Sequence, residues 1–341
     1  MSEIYFSTED DIKRFLQNIK AKMTLIAPRK WGDVIVYAQI EELGEWVREG
    51  LPVRPLKEWF FPASEHLFYF RDGKIREPEG EEKPFLVWGA RMCDIASLKL
   101  LDKVFNGVYK DPYYIKRREL STLVLLRCSE PMWGCFCKEM EITEEGADLI
   151  LTPLEDGFLL EIGTRKGDEL LEQSGVKFGD GKERQEERKE FLGRFEEAFD
   201  KPYDKQEIYQ FLKGAWEHPI WEELARRCLG CGICTFLCPT CHCFDIEDEN
   251  ITLQVGARFR CWDTCQFALF TLQTSGHNPR PTKRERVRQR FMHKLSYCPE
   301  RYSETFCTGC GRCVRLCPVN IDIREVLGLA SPKEVATTGQ S

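Results

Sequence analysis

Two stretches with the same cysteine spacing decide the class of this protein: Cys228-Leu-Gly-Cys231-Gly-Ile-Cys234-Thr-Phe-Leu-Cys238-Pro239 and Cys307-Thr-Gly-Cys310-Gly-Arg-Cys313-Val-Arg-Leu-Cys317-Pro318. Each is a C-x2-C-x2-C-x3-C-P run, the spacing at which thiolates hold 4Fe–4S clusters. Three closely spaced thiolates cover one side of a cluster, and a fourth comes from further along the chain. The sequence therefore predicts two 4Fe–4S clusters, a cofactor that carries single electrons.

The pairing of the two runs follows from this chemistry. In two-cluster ferredoxins the fourth cysteine of each run binds the other cluster. The first cluster is therefore predicted to bind Cys228, Cys231, Cys234 and Cys317. The second is predicted to bind Cys307, Cys310, Cys313 and Cys238. Structural zinc is the alternative, but zinc motifs usually place thiols in pairs rather than three in a row.

Composition and charge narrow the class of protein further. The 341-residue chain has 17 cysteines and a net charge of −7, and this charge argues against nucleic acid as the main partner. The N-terminus lacks the pattern of a signal peptide, and no apolar stretch reaches the length of a membrane span. We therefore expect a cytoplasmic protein without a membrane span, whose reduced thiols bind metal. P-loop, GxGxxG, HExxH and GxSxG patterns are absent, and no catalytic residue is predicted.

Residues 1–175 alternate between strand-like and helix-like segments, which predicts an α/β domain. Apolar, β-rich runs bounded by Gly, Pro or charge predict strands at residues 23–27, 33–38, 66–70, 84–88, 122–126 and 158–162. A helix is predicted over residues 94–105 from apolar residues at helical spacing, namely Ile95, Leu98, Leu101 and Phe105. The strand-then-helix order supports the α/β assignment.

Residues 176–220 are predicted to be a charged helical connector. Phe191, Phe195 and Phe199 recur there at i, i+4 and i+8, which is typical of an amphipathic helix. Residues 331–341 are predicted to be a flexible tail.

Residues 221–330 contain both cysteine runs and are predicted to form a mostly helical 2[4Fe–4S] ferredoxin-like domain. The insert between Cys238 and Cys307 has 68 residues, too many for a turn, so it has to fold by itself. Helices are predicted there at residues 267–272 and 284–295, with short strands at most. The predicted fold class is α+β multidomain, with an N-terminal α/β domain followed by a mostly helical dicluster ferredoxin domain.

Four cysteines of the N-terminal domain lie outside the runs: Cys93, Cys128, Cys135 and Cys137. Cys93 precedes a predicted helix, Cys128 ends a predicted strand, and the other two share a tight loop. Thiols at the loop ends of one domain can converge, which predicts a third 4Fe–4S cluster. The alternative is that Cys93 and Cys128 are ordinary buried small residues.

The remaining cysteines give a weaker pattern. One hypothesis is a further four-thiol site made of Cys241, Cys243, Cys261 and Cys265. The favoured alternative is that they pack beside the clusters, where small apolar and S–H groups are common. Cys298 receives no role, and His242 is expected at the surface or beside the ligands.

Residues 280–294 contain seven Lys or Arg and one acid. A solvated basic helix face is the simplest interpretation. Contact with nucleic acid, docking of an acidic partner and stabilisation of reduced clusters are alternatives.

The order and spacing of several motifs carry a resemblance that covers roughly residues 55–327. Besides the two runs, the motifs are Arg91-Met-Cys-Asp-Ile, Leu101-Asp-Lys-Val-Phe, Asp111-Pro-Tyr-Tyr, Cys135-Phe-Cys, Cys241-His-Cys-Phe, Trp262-Asp-Thr-Cys-Gln and Arg280-Pro-Thr. With these motifs the chain resembles the iron–sulfur β subunit of soluble NiFe hydrogenases (sulfhydrogenases), and the related iron–sulfur subunit of anaerobic sulfite reductase.

The resemblance implies an electron-transfer subunit of a cytosolic oxidoreductase complex. Its partners would be a flavin/NAD(P)-binding subunit together with a catalytic subunit such as NiFe hydrogenase. It also implies the third cluster, because the family has cysteines at the four N-terminal positions, whereas Cys261 and Cys298 depart from its pattern. The alternatives are the iron–sulfur subunit of an anaerobic sulfite reductase, a flavin- or deazaflavin-binding oxidoreductase subunit, and a regulatory iron–sulfur sensor.

Overall fold

The computed structural model describes residues 4–78 and 83–332; most of the predicted flexible tail therefore lies outside the described residues. The strands of the described part are β1 (Ile4–Ser7), β2 (Thr24–Trp31), β3 (Val34–Gln39), β4 (Ser64–Arg71), β5 (Lys74–Arg76), β6 (Phe85–Ala90), β7 (Ser121–Leu126), β8 (Leu149–Pro153), β9 (Phe158–Ile162), β10 (Gly179–Asp180), β11 (Phe244–Thr252) and β12 (Val255–Trp262). Each of the six predicted strands coincides with one of these.

The α-helices are mostly short. Their bounds are α1 (Glu9–Lys20), α2 (Met92–Phe105), α3 (Pro112–Leu120), α4 (Arg165–Ser174), α5 (Gln185–Glu197), α6 (Lys205–Gly214), α7 (Ile220–Arg227), α8 (Ile233–Phe236), α9 (Lys283–Met292), α10 (Cys298–Tyr302), α11 (Arg312–Arg315) and α12 (Arg324–Ala330). In the described residues no helix is both long and apolar enough to cross a lipid bilayer.

The larger sheet has the strand order β10-β1-β9-β8-β7-β6-β2-β3. Its central strands β8, β7, β6 and β2 are parallel neighbours, and the pairs towards both edges are antiparallel. Every residue of β6 and β7 is buried. Near-continuous apolar strands of this kind suit a parallel sheet that is covered on both faces, which confirms the predicted N-terminal α/β domain.

Helices cover both faces of this sheet. On one face, α1 buries Phe15 and Ile19, and α4 packs into the same core. On the other face, α2 buries Leu98 and Leu101 beside Tyr114 of α3. Each fully buried apolar side chain contributes roughly 1.5–3 kcal/mol, so the sheet domain has two sizeable cores of its own.

The carboxyl ends of the parallel strands lie at one edge of the sheet, where ligands bind in open α/β folds. The chain leaves β6 at this edge and enters α2 through Arg91, whereas it leaves β7 for the loop that begins at Arg127. The topology therefore brings the segments that carry Cys93 and Cys128 to the same edge.

A second sheet joins the two halves of the sequence. It has the strand order β11-β12-β4-β5, with antiparallel neighbours throughout. The hairpin β11–β12 belongs to the insert between the cysteine runs, and its strands of 9 and 8 residues are longer than the short strands expected there. The predicted helix at residues 267–272 is wrong, because turns occupy this segment.

The C-terminal helices pack around a third core. It contains Trp221 of α7, Leu212 of α6, Phe291 of α9 and Leu327 of α12, with the rings of Trp221 and Phe291 5.8 Å apart. The predicted helix over residues 284–295 is confirmed as α9, which continues into a π-helical turn at His293–Tyr297. The dicluster segment is thus mostly helical apart from its hairpin.

The predicted connector contains two helices with different neighbours. Phe191 and Phe195 of α5 are buried, whereas Phe199 lies beyond the end of that helix. Helix α6 contributes Ile208 and Leu212 to the C-terminal core. The domain boundaries at residues 175 and 220 stay a prediction.

Candidate metal centres

The two cysteine runs have the same backbone conformation. Glycines on either side of the middle cysteine have positive φ: +72° at Gly230 and +78° at Gly232, then +62° at Gly309 and +70° at Gly311. Glycine adopts this left-handed conformation without the penalty that a Cβ brings. The short helices α8 and α11 follow directly, so each run curls back on itself and its thiols turn towards common cavities.

The first cavity is lined by Cys228, Cys231, Cys234 and Cys317. These are the four residues predicted for the first cluster, three from one run and the fourth from the other. The backbone N–H of Gly230 donates to Cys228 Sγ at 3.3 Å, and that of Ile321 donates to Cys317 Sγ at 3.3 Å. Such N–H···S bonds are among the contacts that set the reduction potential of an iron–sulfur cluster.

The second cavity is lined by Cys238, Cys307, Cys310 and Cys313, which are the residues predicted for the second cluster. Lys294 Nζ lies 3.1 Å from Cys238 Sγ. The first and second cavities share a wall, because both are lined by Cys234 and Arg290. Each of these two cavities is thus lined by cysteines of both runs, and the exchange of the fourth cysteine stays a prediction.

The third cavity lies at the carboxyl edge of the larger sheet. It has a volume of about 480 Å³, and its lining includes the four N-terminal cysteines Cys93, Cys128, Cys135 and Cys137. Cys93 belongs to the first turn of α2, where helix backbone N–H groups favour negative charge. The structure thus brings the four predicted residues together from three separate segments.

The third cavity is contiguous with the second. Cys310 lines both cavities, and Cys135 Sγ lies 3.5 Å from the Cys310 carbonyl oxygen. The backbones touch here: a Cβ at Gly311 would lie 2.4 Å from the Gly134 carbonyl oxygen, and the Phe136 N–H donates to the Gly309 carbonyl at 2.8 Å. First, second and third cavities therefore form a series in which each neighbouring pair shares residues.

A buried ion pair fixes this junction. Arg312 of α11 donates from Nη1 and Nη2 to the two carboxylate oxygens of Asp94 in α2, at 2.9 and 2.8 Å, and both side chains are fully buried. Arg312 Nε also donates to the Pro52 carbonyl at 2.9 Å. The second cysteine run is thereby anchored to the helix that carries Cys93.

A fourth cavity corrects the idea of a further four-thiol site. It is lined by Cys241, Cys243 and Cys265, together with Cys298, His242 and His293. Cys261 does not line it: this residue lies on β12 opposite Asp245 of β11. The set that included Cys261 is therefore wrong, and Cys298, which carried no sequence signal, takes its place beside the other three.

Burial raises the pKa of several cysteine thiols in these cavities. It raises the pKa of Cys234 to about 11 and that of Cys307 to about 12, and it raises the pKa of Cys93 well above its usual range. Buried thiols of this kind stay protonated and inert. They become thiolates when a bound metal supplies compensating charge, because metal binding releases their protons.

The basic segment is not the solvated helix face that the sequence suggested. Arg286, Arg288, Arg290 and Lys294 are all buried. Arg290 Nε and Nη2 have no hydrogen-bond partner among the described residues, nor has Thr308 Oγ1. Arg290 and Thr308 line the second cavity, so hydrogen-bond donors without partners border it. The four-residue spacing of Arg286, Arg290 and Lys294 was the available signal for a common inward face.

The donor set fits 4Fe–4S clusters. Each of the three contiguous cavities is lined by at least four cysteines, and four thiolates are the complete ligand set of one cubane. Within residues 4–78 and 83–332, no three His, Cys, Asp or Glu side chains are grouped closely enough to hold a single metal ion. The thiols of each set therefore surround a cavity instead of meeting at one point.

Comparison with known proteins gives two matches. Residues 227–321 match the family described as a 4Fe-4S dicluster domain. The chain is 34% identical to the protein named Sulfhydrogenase 2 subunit beta of Pyrococcus furiosus over 278 residues, which cover 81% of this chain and 82% of that protein. No solved structure matches the chain. The second match is much longer than the dicluster segment, so the similarity extends into the rest of the chain.

Proposed function

We propose that this chain, which belongs to the family of the sulfhydrogenase beta subunits, relays single electrons through three 4Fe–4S clusters in series. It is an iron–sulfur electron-transfer subunit, and its dicluster domain implies two of these clusters. The observation that carries the proposal is the contiguity of the three thiol-lined cavities, which share Cys234 and Cys310. Clusters in such cavities are close neighbours, as a relay requires.

The cavity linings assign the twelve ligands together with the spacing of the two runs, because Cys234 and Cys310 each line two cavities. Those of the first cluster are Cys228, Cys231, Cys234 and Cys317; those of the second are Cys307, Cys310, Cys313 and Cys238; those of the third are Cys93, Cys128, Cys135 and Cys137. When bound, a 4Fe–4S cluster accepts and releases one electron at a time. The protein holds the thiolates, donates N–H groups to their sulfurs and excludes bulk water. No residue is assigned to bond making or bond breaking.

Both ends of the series lie near exposed groups. At one end Cys231 of the first cavity is exposed, as is the neighbouring Leu229. At the other end Trp133, two residues before Cys135, is exposed. We infer that partner subunits approach these ends, one carrying a flavin and NAD(P) site and the other a catalytic centre of the NiFe hydrogenase type. The name of the Pyrococcus furiosus relative supports this choice over a sulfite reductase.

Iron analysis of the chain purified without oxygen tests the number of clusters. Three clusters correspond to about twelve iron atoms per chain and two clusters to about eight. The double variant Cys135→Ser, Cys137→Ser is expected to lose about four iron atoms and to keep the signals of the dicluster domain.

The matched control is Cys261→Ser, which replaces a half-buried cysteine that lines none of the four cavities described above and is expected to keep all the iron. Iron that stays unchanged in the double variant contradicts the third cluster. A preparation that contains zinc, or that dithionite does not bleach, contradicts the relay as a whole.

A further inference from the structure

Arg290 lies where three thiol-lined cavities meet. Its side chain lines the first, second and fourth cavities, and the residue is only 5% exposed. Two of its nitrogens, Nε and Nη2, lack a hydrogen-bond partner in the described part of the chain. Burying a charge without a partner costs several kcal/mol, so this position requires a compensating anion.

Two other buried cations nearby are already compensated. Arg312 forms two hydrogen bonds with the carboxylate of Asp94. Lys294 Nζ donates to Cys238 Sγ at 3.1 Å and to Thr240 Oγ1 at 2.8 Å. Of these three cations, Arg290 is the one that keeps N–H donors without partners, and it borders the cavities of both dicluster sites.

We propose that Arg290 is a tuning residue shared by the first and second clusters, and that its charge and its free N–H donors raise the reduction potentials of both. The inference rests on the proposed function. A 4Fe–4S core bound by four thiolates is an anion, and reduction adds one electron and one further negative charge. A nearby cation and hydrogen bonds to sulfur therefore favour the reduced form. Lys294, by contrast, contacts a ligand of the second cluster alone.

The test uses the full chain, loaded with clusters and purified without oxygen. The variants are Arg290→Gln, which removes the charge, and Arg290→Lys, which keeps it. Arg284→Gln is the control on the same helix, because Arg284 pairs with Glu217 at the surface. Iron content is measured first, and the midpoint potential of each cluster is then obtained by EPR-monitored titration.

Arg290→Gln is expected to lower both dicluster potentials by at least the equivalent of tenfold in the reduction equilibrium, about 59 mV for a one-electron couple. Arg290→Lys is expected to leave both midpoint potentials close to those of wild type, and Arg284→Gln is expected to leave them unchanged. Unchanged potentials in a fully loaded Arg290→Gln protein overturn the inference, and a shift at one cluster alone overturns the shared role. A wild-type chain without iron contradicts the proposed function itself. Unchanged potentials in a chain that carries its iron contradict only the role of Arg290.

A second measurement applies if Arg290→Gln does not retain its iron. Wild-type protein labelled with 15N-arginine is reduced and studied by pulsed EPR. Nitrogen couplings are expected at the first and second clusters, and they are expected to disappear in Arg290→Lys. Their absence from wild type, or their persistence in Arg290→Lys, contradicts the role of Arg290.

Discussion

The sheet domain and the dicluster segment hold their cysteines in different ways. In the sheet domain, Cys93 and Cys128 extend from buried parallel strands that have apolar cores on both faces. In the dicluster segment, the cysteine runs lie on glycine-rich loops and the four-residue helices α8 and α11. Helices this short are not stable by themselves. We therefore expect the Cys93 and Cys128 side of the third cavity to keep its order without metal, whereas the first two cavities are expected to depend on bound metal for much of their order.

Removal of the metal is expected to have the largest effect on the difference between these two regions. Anaerobic chelation is expected to abolish amide protection in α8, α11 and the loops before them, and to leave β6 and β7 protected. The physical reason is that metal binding supplies folding energy, about 10–16 kcal/mol for structural zinc in small domains, where the chain supplies little. Hydrogen exchange followed by mass spectrometry measures both regions in one sample, and equal loss of protection in β6 and β7 contradicts the comparison.

The buried ion pair between the regions gives the next largest effect. Asp94→Asn is expected to destabilise the loaded protein by about 3–5 kcal/mol, because it leaves the Arg312 charge buried without its counter-ion. Denaturant unfolding under anaerobic conditions measures this loss. The control is Asp248→Asn, which breaks the exposed pair with Arg258 and is expected to change nothing measurable. Equal effects in the two variants would mean that the junction contributes no special stability.

Gly311 lies where the second and third cavities touch. Gly311→Ala is expected to destabilise the protein and to lower the iron content of both cavities, because its Cβ would lie 2.4 Å from the Gly134 carbonyl oxygen. Gly276→Ala is the control: its φ is also positive, at +81°, but nothing lies within 4 Å of the added Cβ. This control measures the backbone strain alone, about 1–3 kcal/mol. If Gly311→Ala costs no more than Gly276→Ala, the close contact is not a constraint.

The smallest effect is expected at Cys261. Cys261→Ser should keep the iron content of wild type and change stability by less than about 0.5 kcal/mol, as is usual for substitutions away from the core. Iron analysis and denaturant unfolding check both points. A loss of about four iron atoms would restore the four-thiol set that the structure separates.

Local spacing explains what the sequence predicted well. The two C-x2-C-x2-C-x3-C-P runs identified the residues that line the first two cavities, because their spacing brings three thiols together within one loop. The strands predicted at residues 84–88 and 122–126 from apolar, β-rich runs coincide with Phe85–Ala90 and Ser121–Leu126. In these cases residues that are close together in the sequence are enough to predict the structural feature.

Features that depend on distant contacts were predicted less well. The strand Val255–Trp262 pairs with a strand almost two hundred residues earlier. Its hairpin partner Phe244–Thr252 is exposed along its whole length, so that strand offered no strong apolar pattern. Arg290 is buried although residues 280–294 contain seven Lys or Arg, and composition alone favoured a solvated face. The place of Cys298 beside Cys265 depends on how helix α10 meets the turn that follows β12.

EPR spectroscopy of the fully reduced chain tests the central claim, that three clusters lie in series, most directly. The account predicts spin–spin interaction among all three clusters in wild type. In the double variant Cys135→Ser, Cys137→Ser, it predicts loss of the interaction at the second cluster that comes from the third, with the pair in the dicluster domain still coupled. A wild-type spectrum that is the plain sum of isolated cluster signals, or one that the double variant leaves unchanged, would contradict it.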